Sequence, residues 1–198
     1  PTAWPRQRHR RSRRAPVCGE SIKYALRYRY YPAMNFARQT SHLLHEEHRA
    51  NLDLLGRVEN ALGRAPRGAA AGQDENIIKL LVALRRQVEQ DVDRHFVFEE
   101  TQLFTRMADA GEGDIAGLLR EEHEAMRDVA AELMPLLAGA TTHTLDDDGW
   151  EALRRNALEL VERQVAHIQK EEMALLPLLD DLLDDDTDRE LTFSYSAG

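Results

Sequence analysis

The chain has 198 residues, of which 42% are hydrophobic and 31% are charged, and its net charge is −9, values that suit one globular domain with or without tails. No stretch approaches the roughly 18 apolar residues that a membrane-spanning helix needs, which excludes a transmembrane role. The single cysteine, Cys18, excludes a disulfide scaffold and a cysteine-based zinc cluster. We therefore expect a soluble, acidic and mostly helical protein of the cytoplasm.

The first 33 residues differ from the rest of the chain in charge. They hold nine Lys and Arg against one acid, a net charge of +8, which leaves −17 for residues 34–198. We expect this basic leader to be disordered, because its apolar residues follow no regular period. The leader has three possible interpretations: an extension without a role, a nucleic-acid-binding arm or an organelle transit peptide. Phosphates would repel the acidic body, which argues against nucleic acid as its partner.

From Asn35 onward, apolar residues recur every three or four positions in four successive segments, the spacing of amphipathic helices. We predict helices over residues 35–62, 74–110, 114–139 and 146–183, separated by short polar or glycine-containing breaks. Pro135 and Pro177 lie inside predicted helices and should kink or break them. Four long helices with short connections indicate an all-α, up-down-up-down four-helix bundle.

These patterns divide the chain into three parts. Residues 1–33 form the disordered basic leader, and residues 34–183 form the four-helix bundle. Residues 184–198 are rich in acidic side chains, and we predict that they form a disordered tail.

Polar residues interrupt the apolar face of every predicted helix. The histidines are His48, His95, His123 and His167, and the second and fourth add Glu99 and Glu171 four residues later. Burying such groups costs several kcal/mol unless they are paired or bind a metal. A lone core histidine is usually just hydrogen-bonded, but four at matched depth, two with a glutamate on the same helical face, favour a metal. Four imidazoles and two carboxylates suit two ions of iron, manganese or zinc.

The order of these motifs resembles the hemerythrin-like family, also called HHE cation-binding domains. The matching segments are LLHEEHRANLDLL around His48, HFVFEETQLF from His95, LLREEHEAM around His123 and HIQKEEMALLPLL from His167. The resemblance covers about residues 36–183. The Glu-x-x-His motif of ferritin-like di-iron bundles does not occur in the chain.

The resemblance implies a non-haem di-iron centre with an oxo or hydroxo bridge, which binds O2 or a related small ligand. It implies as ligands His48, His95, Glu99, His123, His167 and Glu171, with the two glutamates bridging. Three functions follow as hypotheses: a protein that binds O2 or senses O2, NO or iron; an enzyme that reduces peroxide or oxidises Fe(II); and a metal-free structural bundle whose leader binds nucleic acid.

One position departs from the family pattern. Oxygen-carrying members have a second histidine one turn after the third-helix histidine, where this chain has Arg127. A guanidinium cannot bind a metal, so we expect it to turn outward or to pair with a carboxylate. His45 could replace the missing ligand or could hydrogen-bond to one.

The other polar residues beside the motifs have simpler interpretations. We expect His42 at the surface and the neighbouring glutamates to be solvated helix charges, with a hydrogen-bonding role left open for two of them, Glu100 and Glu122. The full set of these glutamates is Glu46, Glu47, Glu100, Glu121 and Glu122.

Overall fold

The computed structural model describes residues 35–197, so the predicted basic leader lies outside the described residues. Within that range the chain is helical and contains no β-strand, which confirms the predicted all-α fold. The long helices are α1 (Gln39–Arg64), α2 (residues 75–109), α3 (Gly113–Thr141) and α4 (residues 147–182), and a shorter α5 (Asp185–Ala197) follows. A 3₁₀ turn, Gly68–Gln73, connects α1 to α2.

Contacts at the two ends of the bundle give the helix directions. Ser41, near the start of α1, donates to the carbonyl of Leu176 near the end of α4. Arg154, near the start of α4, donates to the carbonyl of Leu62 near the end of α1. Helices α1 and α4 are therefore antiparallel neighbours, and they close an up-down-up-down bundle of four helices.

The predicted apolar faces form the core. Side chains at three- and four-residue steps along each helix are almost completely buried, including Leu55, Leu84, Leu119, Leu133 and Leu153. Burying each such leucine stabilises the fold by about 1.5–3 kcal/mol. The polar residues on the same faces are therefore carried into the middle of the bundle.

Two of the helices change geometry where they carry the predicted site. In α2, π-helical turns cover Asp91–His95 and Glu99–Leu103, and in α4 one covers Glu171–Leu175. A π turn widens the helix and often lies at functional sites. Pro177, which has no N–H to donate, follows the π turn of α4 within two residues, whereas Pro135 does not end α3.

The prediction of a disordered acidic tail was wrong for the described residues 185–197, which form α5. Leu191 and Tyr195, four residues apart, are buried against the bundle. Asp188 accepts hydrogen bonds from the backbone N–H groups of Gln39 and Thr40, each at 2.9 Å, at the start of α1. The acidic residues were misread because carboxylates also stabilise helix N-termini.

None of the helices described between residues 35 and 197 combines the length and the hydropathy needed to cross a membrane.

Candidate metal centre

The structure brings all six predicted site residues together in the middle of the bundle. Their ligand atoms form two groups, and within each group all atoms lie within 4.8 Å of one another. The first group is His48, His95, Glu99 and Glu171, and the second is Glu99, His123, His167 and Glu171. All six side chains are buried.

Glu99 and Glu171 belong to both groups, and each divides its two oxygens between them. Glu99 Oε1 lies 3.1 Å from His95 Nε2, and its Oε2 lies 3.4 Å from His123 Nε2. Glu171 Oε2 lies 3.3 Å from His48 Nε2, and its Oε1 lies 2.9 Å from His167 Nε2. Each carboxylate is therefore placed to bridge two ions, one per group.

The hydrogen-bonding state of these carboxylates fits a metal. Among residues 35–197, the four oxygens of Glu99 and Glu171 have no partner with hydrogen-bonding geometry, although both residues are fully buried. Buried polar atoms are almost always hydrogen-bonded, and the close neighbours of these oxygens are imidazole nitrogens, which are themselves metal donors. Cations bound between these oxygens and the neighbouring imidazoles would satisfy both sets of atoms, so the donor set fits a pair of metal ions.

The outward nitrogen of each histidine contacts a second acidic residue. The pairs with Nδ1 are His48–Glu172 at 2.7 Å, His95–Glu47 at 3.3 Å, His123–Glu100 at 2.8 Å and His167–Glu122 at 3.0 Å. We call Glu47, Glu100, Glu122 and Glu172 the supporting glutamates. Glu47, Glu100 and Glu122 each lie on the helix that precedes the helix of their histidine. Glu172 lies on α4, and its histidine, His48, lies on α1. A carboxylate on Nδ1 orients an imidazole and leaves Nε2 free for a metal.

A family model described as the hemerythrin HHE cation-binding domain matches residues 39–179. The chain belongs to this family. No curated protein and no solved structure shows a significant match to it.

The supporting glutamates of this HHE domain are themselves held by basic groups. The pairs are Arg94–Glu47 at 3.0 Å, Arg127–Glu100 at 2.9 Å, Lys170–Glu122 at 2.7 Å and His45–Glu172 at 2.8 Å. The four histidines are thus surrounded by paired carboxylates, which limits how far each ring can turn.

The central histidines and carboxylates shift one another's protonation. Burial opposes a charged imidazole, but Glu171 and Glu172 outweigh burial and raise the pKa of His48 to about 9. Burial also opposes charge on His167, yet Glu171 and Glu122 raise its pKa to about 9. Burial alone would raise the carboxyl pKa of Glu171, but His167 and His48 hold that pKa well below its usual range. Metal ions binding to this HHE domain would therefore have to displace protons from His48 and His167.

Arg127 and His45 lie beside the two groups rather than in them. Arg127 pairs with the carboxylate of Glu100, which is one of the two arrangements expected for this guanidinium. The guanidinium also lies 5.5 Å from the centroid of the Phe96 ring. His45 is buried and contacts Glu172 through Nδ1 instead of joining either group. His45 therefore bonds to a supporting glutamate rather than to one of the six predicted ligands.

Two supporting glutamates were misread from the sequence. Glu47 contacts His95, Arg94 and Tyr195 rather than being a purely solvated charge. Glu172 follows Glu171 by one residue, a position that helical geometry turns towards water, yet it is only 2% exposed. The signal was present as a repeat: Glu-Glu-His occurs at 46–48 and 121–123, and His-x-x-x-Glu-Glu occurs at 95–100 and 167–172.

A further buried carboxylate, Asp91, lies one helical turn before His95. It accepts hydrogen bonds from Gln87 at 2.6 Å, from Asn51 at 3.4 Å and from Gln164. Burial raises the pKa of Asp91 above its usual value even though these three amides oppose the shift. The network forms a polar layer of the core beside the candidate metal centre.

Proposed function

We propose that this HHE domain is a cytoplasmic di-iron protein that binds O2, or senses O2, NO or iron. The observation that supports it most strongly is that Glu99 and Glu171 each direct one oxygen at each pair of histidines. A carboxylate shared in this way suits two ions held close together, and a single ion would leave half of these donors unused.

In this proposal His48 and His95 would hold one iron and His123 and His167 the other, and Glu99 and Glu171 would each offer one oxygen to each ion. Imidazole and carboxylate donors without thiolate suit iron among the transition metals. When bound, the iron pair would supply reversible redox chemistry and coordination positions for a small ligand.

The protein's own side chains prepare the site. The supporting glutamates contact the Nδ1 atoms, which orients each ring with its Nε2 directed at the centre. Burial of the six ligands keeps bulk water out, and this strengthens every electrostatic interaction within the site. The paired basic groups, such as Lys170 on Glu122, offset the charge of the outer carboxylates.

A second function, reduction of peroxide or oxidation of Fe(II), is favoured by the number of protein ligands. Each group offers four donor residues, and Arg127 adds none because it pairs with Glu100. An iron with four protein donors has more than one position open for a substrate. This enzyme activity is the alternative to reversible binding at the same centre.

The test is anaerobic loading with Fe(II), followed by metal analysis and visible absorption spectroscopy on exposure to O2. We expect about two iron ions per chain and a charge-transfer band that appears with O2 and disappears under argon. Rapid turnover of added peroxide would instead support the enzyme. Less than half an equivalent of iron would refute the di-iron proposal.

A further inference from the structure

The metal centre has a contact that the four bundle helices do not supply. Tyr195 lies on α5, and its hydroxyl oxygen is 2.9 Å from His95 Nδ1. The same hydroxyl donates a hydrogen bond to Glu47 Oε2, the oxygen that lies 3.3 Å from His95 Nδ1. The phenol is therefore the nearer of the two partners of His95 Nδ1, and it also bonds to the other, Glu47.

The number of hydrogens decides the direction of these bonds. A phenol has one hydrogen to donate, and an ionised carboxylate can only accept, so the Tyr195 hydrogen goes to Glu47. The phenolic oxygen must then accept from His95 Nδ1–H. With Nδ1–H directed at the phenol, Nε2 is the nitrogen that faces Glu99, 3.1 Å from its Oε1, and it is the nitrogen that a metal ion would take.

This arrangement makes His95 different from the other three histidines. His167, at the matching position of the second half of the bundle, contacts Glu122 directly at 3.0 Å. His95 Nδ1 instead has two partners, the phenol at 2.9 Å and Glu47 at 3.3 Å. The orientation of the His95 ring therefore depends on a group of α5, whereas that of His167 does not.

Other contacts hold the phenol in place. The Tyr195 ring lies 4.5 Å from the Phe98 ring, and the Arg94 guanidinium lies 4.6 Å from the Tyr195 centroid on a face of the ring. Leu191 of α5 is buried, and Asp188 is bonded to the start of α1. All of α5 lies beyond residue 179, where the family match ends.

We propose that Tyr195 is a positioning residue for the metal centre, through which α5 controls retention of the ion bound by His48 and His95. The inference rests on the proposed two-metal site. It predicts that removing one hydroxyl group on α5 affects retention of only one of the two ions.

The test uses Zn(II), a diamagnetic ion with similar ligand preferences, in the full chain. Tyr195→Phe keeps the ring against Phe98 and removes only the hydroxyl, and Phe193→Ala is the matched control because Phe193 is 75% exposed on the same helix. Zinc release to a chromophoric chelator is followed in the parent and in both variants. We expect one of the two ions to leave about 10-fold faster from Tyr195→Phe, while the other ion and the control keep the parent rates.

Side-chain ¹⁵N–¹H NMR of the zinc-loaded protein gives a second readout. The Nδ1–H resonance of His95 should move in Tyr195→Phe, while those of His48, His123 and His167 stay in place. Release of both ions at the parent rates, or equal acceleration of both, would overturn the inference. If the parent itself failed to bind two zinc ions, the two-metal proposal would be the one refuted.

Discussion

Glu172 of α4 lies 2.7 Å from His48 Nδ1 of α1, so the last helix of the bundle orients the histidine of the first. The same relationship connects each helix to the next, through Glu47, Glu100 and Glu122. Every histidine of the centre thus depends on a neighbouring helix for its orientation. Assembly of the site therefore requires the whole bundle. No two helices contain both histidines of one group together with both shared carboxylates, Glu99 and Glu171.

Replacing either bridging glutamate should remove both metal ions. Glu99→Ala and Glu171→Ala each delete one oxygen from both groups, so neither ion keeps its ligand set. Metal analysis after loading with Fe(II) should give well under one ion per chain for each variant. Glu121→Ala, at an exposed position on α3, is the control and should match the parent. Retention of one full ion by Glu99→Ala would show that the carboxylate does not bridge.

Replacing a supporting glutamate should weaken metal binding without abolishing it. Glu172 is almost fully buried, and Glu172→Gln keeps the shape of its side chain. The substitution removes the negative charge of the group that accepts the hydrogen bond of His48 Nδ1. Loss of such a partner costs about 10–100-fold in metal affinity. Competition with a chelator of known affinity measures the change, and Glu121→Gln serves as the control. Affinity equal to that of the parent would mean that the Glu172 contact does not orient the ligand.

Arg127→His should not add a ligand to the centre. The guanidinium pairs with Glu100, away from both groups, and a shorter imidazole at the same position has the same partner nearby. We expect an unchanged visible spectrum of the Co(II)-loaded protein and a stability loss of about 0.2–1 kcal/mol, typical of a partly exposed ion pair. A spectrum that showed an additional nitrogen ligand would place position 127 beside the metal.

Asp91→Asn should stabilise the metal-free protein at neutral pH. The folded-state pKa of Asp91 is raised, so its contribution to stability is fully present below the unfolded pKa of about 3.9 and is lost as pH rises through the folded value. The variant has no such loss, because Gln164 can turn its amide to bond the new side chain. Each unit of pKa shift is worth about 1.4 kcal/mol.

Urea unfolding of metal-free parent and variant at several pH values measures this difference. The stability of Asp91→Asn relative to the parent should increase from pH 4 upward and then level off. Asp93→Asn, at an exposed position two residues away, controls for the loss of a charge. A difference between Asp91→Asn and the parent that stays constant with pH would contradict the raised pKa.

The sequence predicted the fold well, because helical periodicity reports burial directly. The four predicted helices agree with α1 to α4 to within four residues at each end, and the histidines and glutamates that interrupt the apolar faces are the groups that converge. Their assignment as metal ligands stays a prediction. Periodicity did not reveal the π turns, since these insert a wider turn into an otherwise regular helix.

The contacts around the centre were less predictable, because they join different helices. The bond from Tyr195 to Glu47 connects residues far apart in the chain, and the acidic composition of residues 184–198 favoured disorder over a docked helix. Glu172 follows Glu171 by one residue, which on an isolated helix would turn it towards water. It is buried because α1 brings His45 and His48 against it.

The central claim is that Glu99 and Glu171 bridge two metal ions, and crystals of the iron-loaded protein with data collected at the iron absorption edge test it most directly. The account predicts two anomalous-scattering peaks per chain, one beside His48 and His95 and the other beside His123 and His167, with both carboxylates between them. A single peak, or two peaks without Glu99 and Glu171 between them, would contradict it.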